Sequence, residues 1–263
     1  MSSYEKAVNV FNTTFESDKY FESLSSEYTK NSLLKTITDG KTPLIFLLGE
    51  PGVGKTYMLN LLMDKFSVDK KILFTSEPFS TPESFLSFLL KDSEIDKNIN
   101  ISELKEEAIK LYKDVDNLII IDEAQLLKDS VLEFIRTLSD TNHFNFLLSM
   151  HKQEGEKIVK KAHFLSRDHQ IVTLGVLQNN EIKKYIESQL LLNGLGTIND
   201  LFDKNAVKHI GKLSVGNFRI MKQLVKHCFL IMDYAKIHGH IKYTKPNSCV
   251  ITMSAIDLGI IDA

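Results

Sequence analysis

Gly49-Glu50-Pro51-Gly52-Val53-Gly54-Lys55-Thr56 is the stretch of this sequence that decides its fold. It fits the pattern G-x-x-x-x-G-K-[ST]. The apolar run Leu44–Leu48 predicts a buried strand before it, and Thr56–Phe66 predicts a helix after it. Glycines let the backbone wrap closely around an anion, and the first helical turn points its N–H groups at that anion. The motif in this setting predicts a phosphate-binding loop; the alternative is a chance glycine turn before an amphipathic helix.

Two residues at the end of this motif have direct roles in the predicted loop. Lys55 is placed to reach the β- and γ-phosphates of a nucleotide, and the Thr56 hydroxyl is placed to bind Mg²⁺. The predicted nucleotide-binding residues are the whole motif and its next residue: Gly49, Glu50, Pro51, Gly52, Val53, Gly54, Lys55, Thr56 and Tyr57.

A second motif supplies paired carboxylates. The apolar strand predicted at Asn117–Ile121 is followed directly by Asp122 and Glu123. Asp122 is a hard oxygen ligand of the kind that Mg²⁺ prefers, and Glu123 can orient and deprotonate an attacking water. An acidic helix start after a buried strand is the alternative, because the helix dipole favours it. Together with the phosphate-binding loop, the pair predicts hydrolysis rather than a slow binding switch.

Short apolar runs alternate with helical patterns through the first two thirds of the chain. Strands are predicted at Leu44–Leu48, Lys71–Thr75, Asn117–Ile121, Phe144–Leu148 and Gln170–Leu174. Helices are predicted between them at Pro82–Leu90, Ser102–Tyr112 and Ser130–Leu138. This alternation predicts an α/β fold with a five-stranded parallel sheet covered by helices on both faces.

The pattern changes after the fifth predicted strand. Helical spacing continues over Asn180–Leu192, Asp203–Lys212 and Gly216–Ile237, while Cys249–Ile251 is ambiguous. We predict three parts: an N-terminal helical segment at 1–40 that packs on the core, an α/β core at 41–175, and a small all-helical lid subdomain at 176–263.

Composition restricts the class of protein. The 263 residues are 43% hydrophobic and 25% charged, which is ordinary for a globular protein. The cysteines, Cys228 and Cys249, are far apart and favour a reducing compartment. No apolar run approaches the roughly 18 residues of a membrane span, and the N-terminus is polar. We therefore expect no transmembrane segment and a cytoplasmic location, with docking at the inner face of the membrane left open.

Charge is distributed unevenly along the chain. Residues 1–150 hold 16 basic and 24 acidic side chains, whereas residues 151–246 hold 16 basic and 8 acidic ones. A basic second half can face nucleic acid. Solvated helix faces, or a basic face of one subunit meeting an acidic face of another, explain the same distribution.

The two motifs together resemble the AAA+ ATPases. Within that family the order of motifs is similar to the general secretion pathway protein A (ExeA-like) group and to transposition ATPases of the TniB type. The resemblance extends over about residues 20 to 240. Beyond the two motifs, it rests on the helix Val131–Ser139, the strand Phe144–Leu148, Arg167 before the fifth strand, and Ser214-Val215-Gly216-Asn217-Phe218-Arg219.

The resemblance implies ATP and Mg²⁺ as ligands and a role for each matching residue. Arg167 resembles an arginine finger that one subunit supplies to the nucleotide of its neighbour, a role that suits a guanidinium because it is always charged and binds phosphate bidentately. A surface arginine that caps a helix end is the alternative. Arg219 corresponds to sensor 2, which brings the lid onto the nucleotide. Ser149 is the nearest fit to sensor 1, with His151 as its rival. Arg136 has no implied role beyond an ion pair four residues along the helix with Asp140.

The two motifs predict a Mg²⁺-dependent ATPase, and the resemblance implies that it assembles as a homo-oligomer. The resemblance implies an accessory ATPase of a secretion, pilus or DNA-uptake apparatus, with a protein partner. An ATP-dependent regulator that binds duplex DNA, such as a transposition helper, is the alternative. A nucleotide-gated scaffold with very slow hydrolysis is a third reading.

Overall fold

The computed structural model describes residues 2–12, 21–95, 99–161, 164 and 168–262. These residues form two compact units, which we describe separately. The first contains the described residues of Met1–Ser25, Pro51–Gly54 and Gly175–Ala263, and the second those of Ser26–Glu50 and Lys55–Leu174. The division into 1–40, 41–175 and 176–263 stays a prediction.

The second unit is built on one parallel sheet. Its strands are β1 (Leu44–Gly49), β2 (Lys71–Thr75), β3 (Asn117–Ile121), β4 (Phe146–His151) and β5 (Gln170–Leu174). They lie in the order β2-β3-β4-β1-β5, and every neighbouring pair is parallel. β1 and β3 are buried along their whole length, which explains why both are continuous apolar runs. The predicted five-stranded parallel sheet is confirmed.

One helix precedes β1, and the others lie between successive strands. These helices are α2 (Leu24–Asp39), α3 (Lys55–Phe66), α4 (Pro82–Leu89), α5 (Ile101–Tyr112), α6 (Asp129–Ser139) and α7 (Lys152–Val159). Apolar residues of α4 to α7 form one core with one face of the sheet, in which Phe46, Phe85 and Phe146 are fully buried. α3 begins at Lys55, so the phosphate-binding motif lies between the end of β1 and the first turn of α3.

The fourth strand lies later than its apolar pattern predicts. We expect a strand at Phe144–Leu148, whereas β4 runs from Phe146 to His151. Phe144 is fully buried but precedes the ladder, and its ring packs on Tyr112 with centroids 5.1 Å apart. Pairing with β1 continues to Gly49 and His151, which places His151 beside the first residue of the motif.

The first unit is helical. Its helices are α1 (Ser3–Val10), α8 (Asn179–Leu192), α9 (Lys204–Ser214), α10 (Phe218–Ile237) and α11 (Ser248–Asp257). α1 packs on α10, where the ring of Phe11 stacks on that of Phe229 with centroids 5.8 Å apart. The ambiguous stretch Cys249–Ile251 is helical because the Asn247 side chain caps α11.

The junction between α9 and α10 has an unusual backbone. Val215 and Gly216 are both left-handed, with φ of 51° and 70°. This region is unfavourable for a β-branched residue such as valine. A side chain at Gly216 would collide with the carbonyl oxygen of Leu177. The left-handed pair breaks the helix, so α10 begins at Phe218 and not at Gly216 as its pattern predicts.

Across the part of the chain that the structure describes, no helix combines the length and apolar character needed to cross a bilayer.

Candidate functional site

The phosphate-binding motif has the backbone of an anion-binding loop. Gly52 and Gly54 adopt φ of 80° and 107°, which only glycine accepts readily. Within the described residues, the backbone N–H groups of Gly52, Val53 and Gly54 donate to no other protein group. Successive free N–H groups in a turn of this kind form a concave site for anions.

The Lys55 ammonium lies against the start of this loop. It donates to the carbonyl oxygen of Gly49 at 2.9 Å and to that of Glu50 at 3.3 Å. The residue is only 5% exposed, so its charge needs such partners. Lys55, in the first turn of α3, thus binds the backbone at the start of the loop.

The predicted magnesium ligands meet directly. The Thr56 hydroxyl donates to Asp122 Oδ2 at 2.6 Å, although the two residues lie on different elements of the second unit. Asp122 is 4% exposed, and its other carboxylate oxygen accepts from the Glu123 backbone at 3.0 Å. A hydroxyl and a carboxylate thus converge at the carboxyl end of β3.

Glu123 has a strained backbone and a held carboxylate. Its φ of 52° and ψ of 35° are left-handed, which is uncommon for a residue with a side chain. Its Oε2 accepts from Gln125 Nε2 at 2.5 Å and lies 3.2 Å from His151 Nε2. Gln125 Oε1 in turn accepts from the His151 backbone at 3.2 Å. Glu123, Gln125 and His151 therefore form one connected cluster.

Ser149 lies in the interior of β4. Its neighbours Leu148 and Met150 enter the large apolar core, so its side chain faces the other side of the sheet. The pair Ile121 and Leu148 in the ladder makes Ser149 and Asp122 adjacent along neighbouring strands. The residue is fully buried, and its hydroxyl has no hydrogen-bond partner among the described residues. A buried hydroxyl without a partner is unfavourable unless something else binds it.

In the first unit, the start of α10 contacts the tip of the loop. The Asn217 side chain donates from Nδ2 to the carbonyl oxygen of Pro51 at 2.5 Å. The Arg219 backbone N–H donates to the carbonyl oxygen of Gly52 at 3.1 Å. The Arg219 side chain is exposed at the second position of the helix.

The structure brings some predicted site residues together and leaves one undescribed. Four of them converge in the second unit: Lys55, Thr56, Asp122 and Glu123. Ser149 and Asp122 each directly follow one residue of the pair Leu148 and Ile121, on neighbouring strands. Arg167 lies outside the described residues.

Sequence reasoning assigned no role to Gln125 or Asn217. An asparagine before a helical pattern indicates a helix cap, but nothing in the sequence indicates that its amide reaches Pro51.

Arg136 has the expected partner. Its guanidinium pairs with Asp140 at 2.7 Å and with Glu133 at 2.6 Å. The hydrogen bond to Glu133 is the main cause of the raised pKa of Arg136. The predicted ion pair with Asp140 is confirmed, and the two ion pairs explain Arg136 as a residue that stabilises its own helix.

Comparison with known proteins gives the fold a family context. A family model described as "AAA domain" matches residues 38–159. No curated protein matches the chain at a significant level. The RuvB Holliday junction branch migration motor of Thermotoga maritima is 17% identical, with a TM-score of 0.57 over 90% of this chain and 70% of that one.

Two further solved structures are similar. The Drosophila ORC bound to DNA is 11% identical, with a TM-score of 0.65 over 98% of this chain and 66% of that one. Domain III of the replication initiation protein DnaA of Thermotoga maritima is 16% identical, with a TM-score of 0.54 over 93% of this chain and 98% of that one. The chain therefore has the fold of the AAA+ P-loop ATPases.

Proposed function

We propose that this protein binds ATP at the loop Gly49–Thr56 and hydrolyses it with the help of Mg²⁺. The observation that carries the proposal is the 2.6 Å contact between Thr56, the last residue of the motif, and Asp122. In the same motif, the N–H groups of Gly52, Val53 and Gly54 donate to no protein group among the described residues. The free N–H groups would bind the phosphates, and Lys55 would exchange its two carbonyl partners for β- and γ-phosphate oxygens.

The donor set at Thr56 and Asp122 fits Mg²⁺. Both donors are hard oxygens, and within the described chain no cluster of three or more His, Cys, Asp or Glu side chains offers a softer site. The buried hydroxyl of Ser149 would form a hydrogen bond with a water molecule of this site. Held by Thr56 and Asp122, Mg²⁺ would neutralise the negative charge that develops on the phosphate during hydrolysis.

Glu123 is placed to act as the general base. It would accept a proton from a water whose oxygen attacks the γ-phosphorus, while the bond from that phosphorus to the bridging oxygen of ADP breaks. Gln125 and His151 would hold the carboxylate in a defined orientation. Ser149 would orient the water as sensor 1. The products are ADP and inorganic phosphate.

Two arginines would complete the site. We assign Arg219 the role of sensor 2, since the first turn of its helix hydrogen-bonds the tip of the loop. We assign Arg167 the role of a finger that acts on a neighbouring subunit, on the resemblance alone.

In mixed oligomers, Arg167→Ala subunits should regain turnover when combined with Glu123→Gln subunits. Absence of recovery at every mixing ratio would contradict a finger acting in trans.

Two outputs of ATP hydrolysis are candidates. The narrower resemblance favours an accessory ATPase of a secretion, pilus or DNA-uptake apparatus. DNA binding is favoured by charge, because residues 204–256 carry nine lysine and arginine side chains and one acidic one, Asp233. The solved structures with a similar fold include a Holliday junction motor and a complex bound to DNA.

Phosphate release and ATP binding, measured on the same variants, test the enzymatic proposal. Glu123→Gln should bind ATP as the wild type does, while its turnover falls at least about 100-fold because the base is lost. Glu156→Gln, an exposed change on α7, is the matched control and should leave both unchanged. Wild-type turnover in Glu123→Gln would refute the assignment of the base.

A further inference from the structure

The tip of the phosphate-binding loop has carbonyl groups that are held from outside the motif. The Pro51 carbonyl accepts from Asn217 Nδ2 at 2.5 Å, and the Gly52 carbonyl accepts from the Arg219 N–H at 3.1 Å. The approach is close, since a Cβ on Gly52 would lie 2.8 Å from Asn217 Oδ1 and 2.9 Å from Arg219 Cβ. All of these residues belong to the first unit.

Holding these carbonyls sets the direction of the N–H groups that follow them. The structure contains no cis peptide bond among its described residues. In a trans peptide the C=O and the next N–H point to opposite sides. The N–H groups of Gly52 and Val53 therefore point away from α10. These two N–H groups are among those without a partner in the described chain.

Asn217 is suited to this task because one side chain makes bonds in two directions. Its Oδ1 accepts from the N–H groups of Arg219 at 3.1 Å and Ile220 at 3.2 Å, which caps α10. Its Nδ2 is left to donate to Pro51. The helix start and the loop tip are thereby fixed by the same amide group.

We propose that Asn217 is a positioning residue for phosphate binding. By holding the Pro51 carbonyl, it pre-orients the loop N–H groups toward the phosphates of ATP. The amide is required because serine or aspartate would also cap the helix but would have no equivalent N–H to donate. This inference rests on the proposed function for its ligand, but the bond from Asn217 to Pro51 can be tested without nucleotide.

The first unit contains a matched control. Asn247 caps α11 with the same geometry: its Oδ1 accepts from the Val250 N–H at 3.0 Å, and its Nδ2 donates to the Lys242 carbonyl at 2.7 Å. Asn247→Ser thus removes the same kind of amide donor from a helix start. Among the described residues, the hydrogen bonds of the Asn247 side chain are to Lys242 and Val250 and do not involve the phosphate-binding loop.

The first measurement uses Mg²⁺-ATP. Asn217→Ser should bind ATP about fivefold more weakly, which corresponds to the loss of one hydrogen bond, and its KM should rise while kcat stays within about twofold. Asn247→Ser should match the wild type in both. Equal ATP affinity in Asn217→Ser and the wild type, or a fall in kcat without a rise in KM, would overturn the proposal.

The second measurement uses nucleotide-free protein and separates this inference from the proposed function. The Arg219 N–H donates both to the Asn217 side chain and to the Gly52 carbonyl, whereas the Ile220 N–H donates to the Asn217 side chain. Serine keeps the helix cap but releases the loop tip, so in Asn217→Ser the Arg219 amide hydrogen should exchange at least about fivefold faster than in the wild type while that of Ile220 stays within about twofold. Neither exchange rate should change in Asn247→Ser. Unchanged exchange of Arg219 would overturn the bond as a positioning device. Failure of the wild type to bind ATP, with the exchange result intact, would count against the proposed function alone.

Discussion

Glu123 combines a left-handed backbone with a carboxylate that two other side chains hold. Backbone strain of this kind persists only where the surroundings enforce it, and it clusters at functional sites. The Glu123 carboxylate contacts Gln125 and His151, and His151 lies at the end of β4 beside Gly49. At the scale of single residues, these two neighbours therefore hold the carboxylate that we propose as the general base.

Removing one of these neighbours should affect turnover rather than ATP binding. His151→Ala should lower kcat about tenfold, which corresponds to about 1.4 kcal/mol, with KM for ATP unchanged. His151→Gln keeps an N–H donor and should retain most of the activity. Steady-state kinetics of both variants measure the effect; a raised KM with wild-type kcat would show that His151 acts on binding instead.

The two cysteines should differ sharply in reactivity. Burial raises the pKa of Cys228 to about 12, whereas Cys249 is exposed. Below its raised pKa, Cys228 is a neutral thiol, so at pH 8 it holds almost no reactive thiolate. Thiol titration of the folded protein at pH 8 should find one fast group and a second only on unfolding. Two fast groups would contradict the packing around Cys228.

At the scale of elements, α7 packs closely on β1 and β4 through a glycine. A Cβ at Gly155 would collide with the Leu48 side chain and approach Met150 Cβ at 3.2 Å. Gly155→Ala should therefore reduce the free energy of unfolding by about 1–3 kcal/mol, although alanine is the better helix former. Denaturant unfolding measures this, with Glu156→Ala on the exposed side of α7 as control. If Gly155→Ala is more stable than the wild type, the Leu48 side chain moves to make room for the added methyl group, and the prediction is wrong.

Elements with a strong local signal were predictable from the sequence. β1 and β3 are buried along their whole length, and their unbroken apolar runs identify them. The apolar pattern places β4 two residues too early. It includes Phe144, whose ring packs on Tyr112 and which lies before the first paired residue of the strand. The bounds of β4 depend on its pairing with β1, which is a tertiary property.

The candidate site was predictable to the same extent. The motifs and the strands before them predict where Lys55, Thr56, Asp122 and Glu123 lie, after the ends of β1 and β3. The roles of these residues stay predictions. The contact between Asn217 and Pro51 joins residues 166 positions apart. An asparagine cap is a local signal, but its second partner is set only by how the chain folds, and no pattern in one sequence contains it.

At the scale of the whole molecule, the uneven charge of the chain bears on its output. Lys204, Lys208 and Lys212 are exposed and recur every fourth residue, so they form one basic row on α9. If the output involves DNA, changing these three lysines to glutamate should weaken duplex binding at least about tenfold while leaving it measurable at low salt. A control triple change at the exposed Lys65, Lys91 and Lys113 should leave it intact.

The salt dependence of binding separates phosphate contacts from other effects. Affinity falls as salt rises, and each lysine that contacts a phosphate makes the slope of log affinity against log salt about 0.9 more negative. Loss of the three lysines should therefore make this slope about 3 less negative. Fluorescence anisotropy of a labelled duplex between 50 and 200 mM salt, roughly the range in which such contacts dominate, measures it. Wild-type protein that binds no duplex, with or without ATP, would remove the DNA candidate and favour a protein partner.

Equilibrium binding of Mg²⁺-ATP to Lys55→Ala tests the central claim most directly. Lys55 is the cation that closes the phosphate-binding loop, and Lys65 is an exposed lysine at the other end of the same helix. We expect Lys55→Ala to bind ATP at least about tenfold more weakly than the wild type, since a charge-assisted contact to phosphate is worth about 1.5–3 kcal/mol. Lys65→Ala should bind ATP as the wild type does. Wild-type affinity in Lys55→Ala would contradict ATP binding at Gly49–Thr56.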